Sequence, residues 1–72
     1  MDGYCRHYLT INREDYERAN AILEEYYYRG DIENITTETD VAHHTVLVGL
    51  ACSTDDLTSL KNEFQKNGII VV

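Results

Sequence analysis

The stretch Thr45–Cys52, "TVLVGLAC", decides the fold. Val46, Val48, Leu50 and Cys52 form one alternating set, and Leu47, Gly49 and Ala51 the other, so both faces of a strand here are nearly apolar. Such a strand needs cover on both sides and belongs at the centre of a sheet. Just downstream, Ser53 and Asp56 sit at capping-box spacing, and Leu57, Leu60 and Phe64 follow at i, i+3, i+7. That pattern predicts a helix stopped by Asn67-Gly68, with "IIVV" after it as a last strand.

Upstream, "YCRHYLTI" over residues 4–11 alternates, with Cys5, His7, Leu9 and Ile11 the more apolar set. Asn12 and Asp15 then signal a helix start, and Gly30 a natural stop, which predicts a helix over 13–29. On a helical wheel Tyr16, Ala19, Ile22, Leu23 and Tyr26 share one arc. Tyr27 falls on its margin, and Tyr28 points away among Ala21, Glu24 and Glu25. The Thr-rich "DIENITTET" over 31–39 reads as a bulged edge strand, and "DVAHH" as a turn.

Together these elements predict one α+β domain over residues 1–72, in the order β-α-β-β-α-β. The order is similar to that of ferredoxin-like small domains, which implies a four-stranded antiparallel sheet with two helices on one face. The first and third strands would then be central antiparallel neighbours. If paired residue numbers sum to 57, Leu9 faces Val48, Ile11 faces Val46, Cys5 faces Cys52, and Tyr8 covers Gly49. No motif ties the chain to one family. RNA-recognition domains share the strand order but carry basic residues and a Gly-aromatic motif that "TVLVGLAC" lacks. Metallochaperones of this topology need a CxxC that is absent, and amino-acid-binding regulatory domains match only in element order.

Composition narrows function. A chain of 72 residues buries only roughly 60% of its unfolded surface and is marginal unless something staples or pairs it. Its 43% hydrophobic content and lack of proline are those of a globular chain. No apolar run approaches the ~20 residues of a membrane span, and "MDGYCRHY" has no signal-peptide core, so a soluble, cytoplasmic protein is expected. The net charge of −7 argues against direct contact with nucleic acid or an anionic membrane. It favours instead a protein partner with a basic surface.

Candidate sites are few. Cys5 and Cys52 read as two small buried thiols, although the register makes them cross-strand neighbours. His7, His43 and His44 have no partner at metal-ligand spacing, so neither a metal nor a cofactor is expected. There is no nucleophile elbow and no phosphate loop, and a non-enzymatic role follows. Arg29-Gly30-Asp31 matches an integrin-recognition tripeptide, but Gly30 is better explained as a helix stop.

Two surfaces remain. One is acidic: Tyr28 with Glu24, Glu25, Asp31, Glu33, Glu38 and Asp40, opposed between Glu24 and Asp40 by a single base, Arg29. An exposed tyrosine among carboxylates suits a basic protein partner, in the manner of small acidic inhibitors from phage or mobile elements. The other is the sheet face away from the helices, with Tyr8, Leu47 and Ala51, as a homodimer or partner surface. The expected function is an interaction module that inhibits or regulates a basic, nucleic-acid-handling protein. The alternative is a small-molecule-sensing domain that works as a homodimer.

Overall fold

A computed structural model describes residues 4–72. The expectation that "MDGYCRHY" holds no signal-peptide core falls partly on residues 1–3, outside that range. Strand β1 is Cys5–Asn12, β2 is Glu33–Asp40 and β3 is Thr45–Cys52; helix α1 is Tyr16–Arg29 and α2 is Thr54–Lys66. A 3-10 turn over Arg13–Asp15 leads into α1.

Among the described residues the sheet has three strands in the order β1-β3-β2, both pairs antiparallel. This corrects the expected four-stranded, ferredoxin-like arrangement. The reason lies in "IIVV". Ile69 is drawn into the core while its N–H bonds the Phe64 carbonyl at 2.9 Å. Only Val71 then comes into register, as a single antiparallel bridge to Ile11, with the Val72 N–H on the Thr10 carbonyl at 2.8 Å. One bridge is not a strand. β3 is therefore the sole central strand and β1 stands at an edge, not in the middle.

The β1–β3 register is the one that the alternation implies: Leu9 opposite Val48, Ile11 opposite Val46, Cys5 opposite Cys52, Tyr8 opposite Gly49. Val46, Val48, Leu50 and Cys52 face the helices and are buried together with Leu9 and Ile11. From α1 come Ala19, Ile22, Leu23 and Tyr26, and from α2 Leu60 and Phe64, with Ile32 and Ile69 closing the ends. Tyr26 keeps its hydroxyl satisfied at 2.8 Å from Ser59 Oγ, which ties α1 to α2.

Local chemistry sets the boundaries. Ser53 Oγ accepts from the Asp56 N–H at 3.1 Å and donates to its carboxylate at 3.0 Å, so the capping box forms. α1 ends at Gly30 with φ +84, the left-handed conformation that glycine adopts without strain. The start of α1 departs from expectation. Asn12 makes no side-chain cap; the buried Asp15 carboxylate pairs with Arg18, which also donates to the Asn67 carbonyl. β2 is bulged between Glu33 and Thr36, with Asn34 at φ +54.

The two cysteines differ. Cys52 is buried, but Cys5 is exposed, contrary to the expectation that both lie in the core. Cys5 is the first residue of edge strand β1, flanked by a strand on one side only. His7, two residues on, is half-buried, and its Nε2 is enclosed without a hydrogen-bond partner among the described residues.

Candidate interaction site

The C-terminal turns of α1 present successive side chains about 100° apart, so a run of three tyrosines cannot share one face. Tyr26 enters the core, and Arg29 lies over its ring at 4.2 Å. Tyr27 and Tyr28 are left outside, 50% and 80% exposed. Their rings meet edge to face with centroids 5.7 Å apart. Beneath them, the bulge of β2 brings up Asn34 and Ile35, and Glu24 from the preceding turn completes a concavity of about 420 Å³.

The rim is acidic. Glu24, Glu25 and Glu33 are exposed and have no ion-pair partner among the described residues. Asp31 is half-buried and held by Arg29 at 3.1 Å, so its charge is largely matched. Glu38 and Asp40 do not join this group. They lie further along β2, about 13 Å (Glu38) and about 20 Å (Asp40) from Asn34 at ~3.3 Å per residue. There Asp40 accepts from the His43 backbone N–H at 3.1 Å and approaches its Nδ1 at 2.8 Å. The His43 hydrogen bonds hold the Asp40 carboxyl below the usual carboxylate range. Asp40 thus builds the β2–β3 turn. The seven-residue acidic surface is two separate patches, and only one contains Tyr28.

The open sheet face is also unlike its sequence pattern. Tyr8 is 61% exposed, while Leu47 and Ala51 are half-buried. Arg6 reaches across the central strand, donating to the Asn34 carbonyl at 2.7 Å and to Thr36 Oγ1 at 2.8 Å. Its guanidinium also lies 5.6 Å from the Tyr8 ring centroid. The absence of a side chain at Gly49 makes room for this crossing: a Cβ there would stand 2.8 Å from Arg6 Nη2 and 2.7 Å from Thr36 Oγ1. Thr10, Thr36, Glu38 and Thr45 then break up the apolar residues, so Tyr8, Leu47 and Ala51 form no continuous patch.

Sequence reasoning placed Tyr28 and the nearby glutamates correctly at the surface but missed Asn34 and Ile35 as the floor of the notch. The signal available was Asn34 itself, a residue that tolerates positive φ, at the centre of the irregular strand. Among the described residues, no group of three or more His, Cys, Asp or Glu side chains is placed to hold a metal ion, and no helix is long and apolar enough to cross a membrane. Burial, followed by Asp56 and Cys5, pushes the Cys52 thiol up, which makes it a poor nucleophile.

Comparison with protein-family models, with curated proteins and with solved structures found no significant match, so the class rests on geometry: a small α+β domain with a tyrosine notch that Glu24 lines.

Proposed function

We propose that this protein is a non-enzymatic interaction module that binds a basic surface of another protein and inhibits or regulates it by occupancy. The carrying observation is the Tyr27–Tyr28 pair, exposed edge to face above a notch that Glu24 lines, with Glu25 and Glu33 exposed nearby in the chain. Aromatic anchors next to a concavity contribute most to interface affinity, and unpaired carboxylates steer a cationic partner towards them. The net charge of −7 favours a basic protein over nucleic acid or membrane. Two free thiols suit a reducing cytoplasm as the place of action.

The test is capture from host lysate with wild-type and Tyr28→Ala chains as bait, at low and at high salt. A basic protein held by the wild type at low salt, and lost with either change, supports the reading. Retention by the Tyr28→Ala bait, or salt-independent capture, refutes it, because contacts between exposed charges are screened beyond ~10 Å at 0.1 M salt. The homodimeric small-molecule sensor draws its support from a depression of about 660 Å³ on the open sheet face, between Glu38, Leu47 and Val72. A dimer in light scattering that saturably binds a metabolite would favour it.

A further inference from the structure

The two edges of the sheet are not alike. In an antiparallel pair, the backbone groups of alternate residues point towards the partner and those of the others point away. On the outer side of β1, the Thr10 carbonyl accepts from the Val72 N–H and Ile11 bridges Val71, so residues 69–72 obstruct that edge. β2 has β3 on one side and no described strand on the other. The Arg13 N–H bonds the His44 carbonyl, which fixes the phase of the β1–β3 ladder: even residues of β3 address β1 and odd ones address β2. Thr36, Glu38 and Asp40 are opposite Gly49, Leu47 and Thr45, and their backbone groups are used. Those of Thr37 and Thr39 point outward and have no partner among the described residues.

This free edge runs beside the outer face of α1. Glu17 and Glu24 are two turns apart on that face, about 10 Å at 1.5 Å per residue. One concavity at each end joins helix to strand: Glu24 and Tyr28 with Ile35, and Glu17 with Thr37 and Thr39. Arg13 is the single base bordering them, against Glu14, Glu17 and Glu24. On the opposite side of the edge stand Glu33 and Glu38, exposed.

We propose that the outer edge of β2 receives an extended, Lys- or Arg-bearing segment of the partner as an added strand, beginning at the Tyr28 notch. This rests on the basic-partner reading above and names how the partner enters. An added strand pairs its backbone with Thr37 and Thr39. Its alternate side chains then reach Glu17 and Glu24 on one side, and Glu33 and Glu38 on the other. A second copy of this chain is the wrong occupant: its β2 would bring Glu33 and Glu38 against their own kind, on a molecule of net charge −7. The same carboxylates that oppose self-pairing select a cationic strand.

The probe is a synthetic peptide of alternating Lys and Thr, equal in length to β2 (8 residues), alongside the same peptide N-methylated on every backbone amide, so that neither of its edges can donate. Hydrogen exchange and amide shifts of the intact protein report the outcome. Supporting results are slowed exchange at Thr37 and Thr39 with the plain peptide, and binding at least ~10-fold weaker for the N-methylated one, which cannot donate to the edge. If both peptides bind equally, shifting Tyr28 and Glu24 without protecting Thr37 or Thr39, strand addition is overturned while the basic-partner reading survives. If neither binds at low salt, both fall. Thr37→Pro provides a second arm, since its N–H makes no bond within the sheet and proline is tolerated on an edge. With the circular-dichroism spectrum unchanged, it should weaken the plain peptide at least ~10-fold. Undiminished affinity in a folded Thr37→Pro chain overturns the proposal.

Discussion

Replacing Gly49 by alanine should destabilise the protein, although removing a glycine from a strand normally gains ~0.5–1 kcal/mol. The new Cβ would stand 2.7 Å from Thr36 Oγ1, 2.8 Å from Arg6 Nη2 and 3.0 Å from Tyr8 Cε1. β3 is paired on both sides and cannot retreat, so the side chains must move. The Arg6 guanidinium, at the end of a flexible stem, gives way first and leaves the Asn34 carbonyl and Thr36 hydroxyl. Both bonds are exposed to solvent, so each is worth ~0.5–1 kcal/mol. Shifting Thr36 and Tyr8 off their preferred rotamers costs a further ~0.5–1.5 kcal/mol. The net loss is ~1–2 kcal/mol, or a fall in Tm of roughly 5–15 °C for a domain of this size. Thermal unfolding followed by circular dichroism reads this directly. In an Arg6→Ala background most of the cost of Gly49→Ala should disappear, leaving ~0–0.5 kcal/mol, since both guanidinium bonds are already gone and only the rotamer shifts remain to offset the glycine gain. A Gly49→Ala chain as stable as the wild type would refute the crowding, and an equal cost in both backgrounds would exonerate Arg6.

The tyrosines should separate by stability. Tyr26→Phe removes the bond to Ser59 and should cost ~1 kcal/mol, whereas Tyr28→Ala should stay within ~0.5 kcal/mol, and equal costs in denaturant titrations would contradict the assignment of faces. Alkylation of the native protein should modify Cys5 rapidly, with Cys52 at least ~100-fold slower because its buried, raised-pKa thiol reacts only on opening. Mass spectrometry finding both labelled at one rate would refute that contrast. For Asp40, an NMR titration of the side-chain carboxyl should give a midpoint below ~3.9, moving up in His43→Ala. The sign follows from linkage: a carboxylate held low in the folded state stabilises it above the unfolded pKa, and that contribution disappears as pH falls through the folded value. A midpoint at or above the unperturbed value would show that the turn does not depend on this pair.

Local chemistry alone determined a good part of this molecule. The capping box of Ser53 and Asp56, the stop at Gly30, the core arc of α1 and the β1–β3 register all follow from side-chain periodicity, which the backbone repeat imposes whatever the rest of the chain does. The surface position of Tyr28 and Glu24 was legible for the same reason. What needed tertiary structure was every question of competition between distant groups. "IIVV" has strand composition, yet Ile69 is buried with its N–H on the Phe64 carbonyl at the end of α2, so one bridge remains where a strand was expected. Cys5 alternates with the core residues but opens edge strand β1 and is exposed. The acidic run is contiguous in sequence, but a strand of 8 residues carries Glu38 and Asp40 far from Tyr28. Arg6 reads as one polar residue of an alternating strand, and only the space above Gly49 makes it the clasp that holds the bulge of β2 beneath the tyrosine pair.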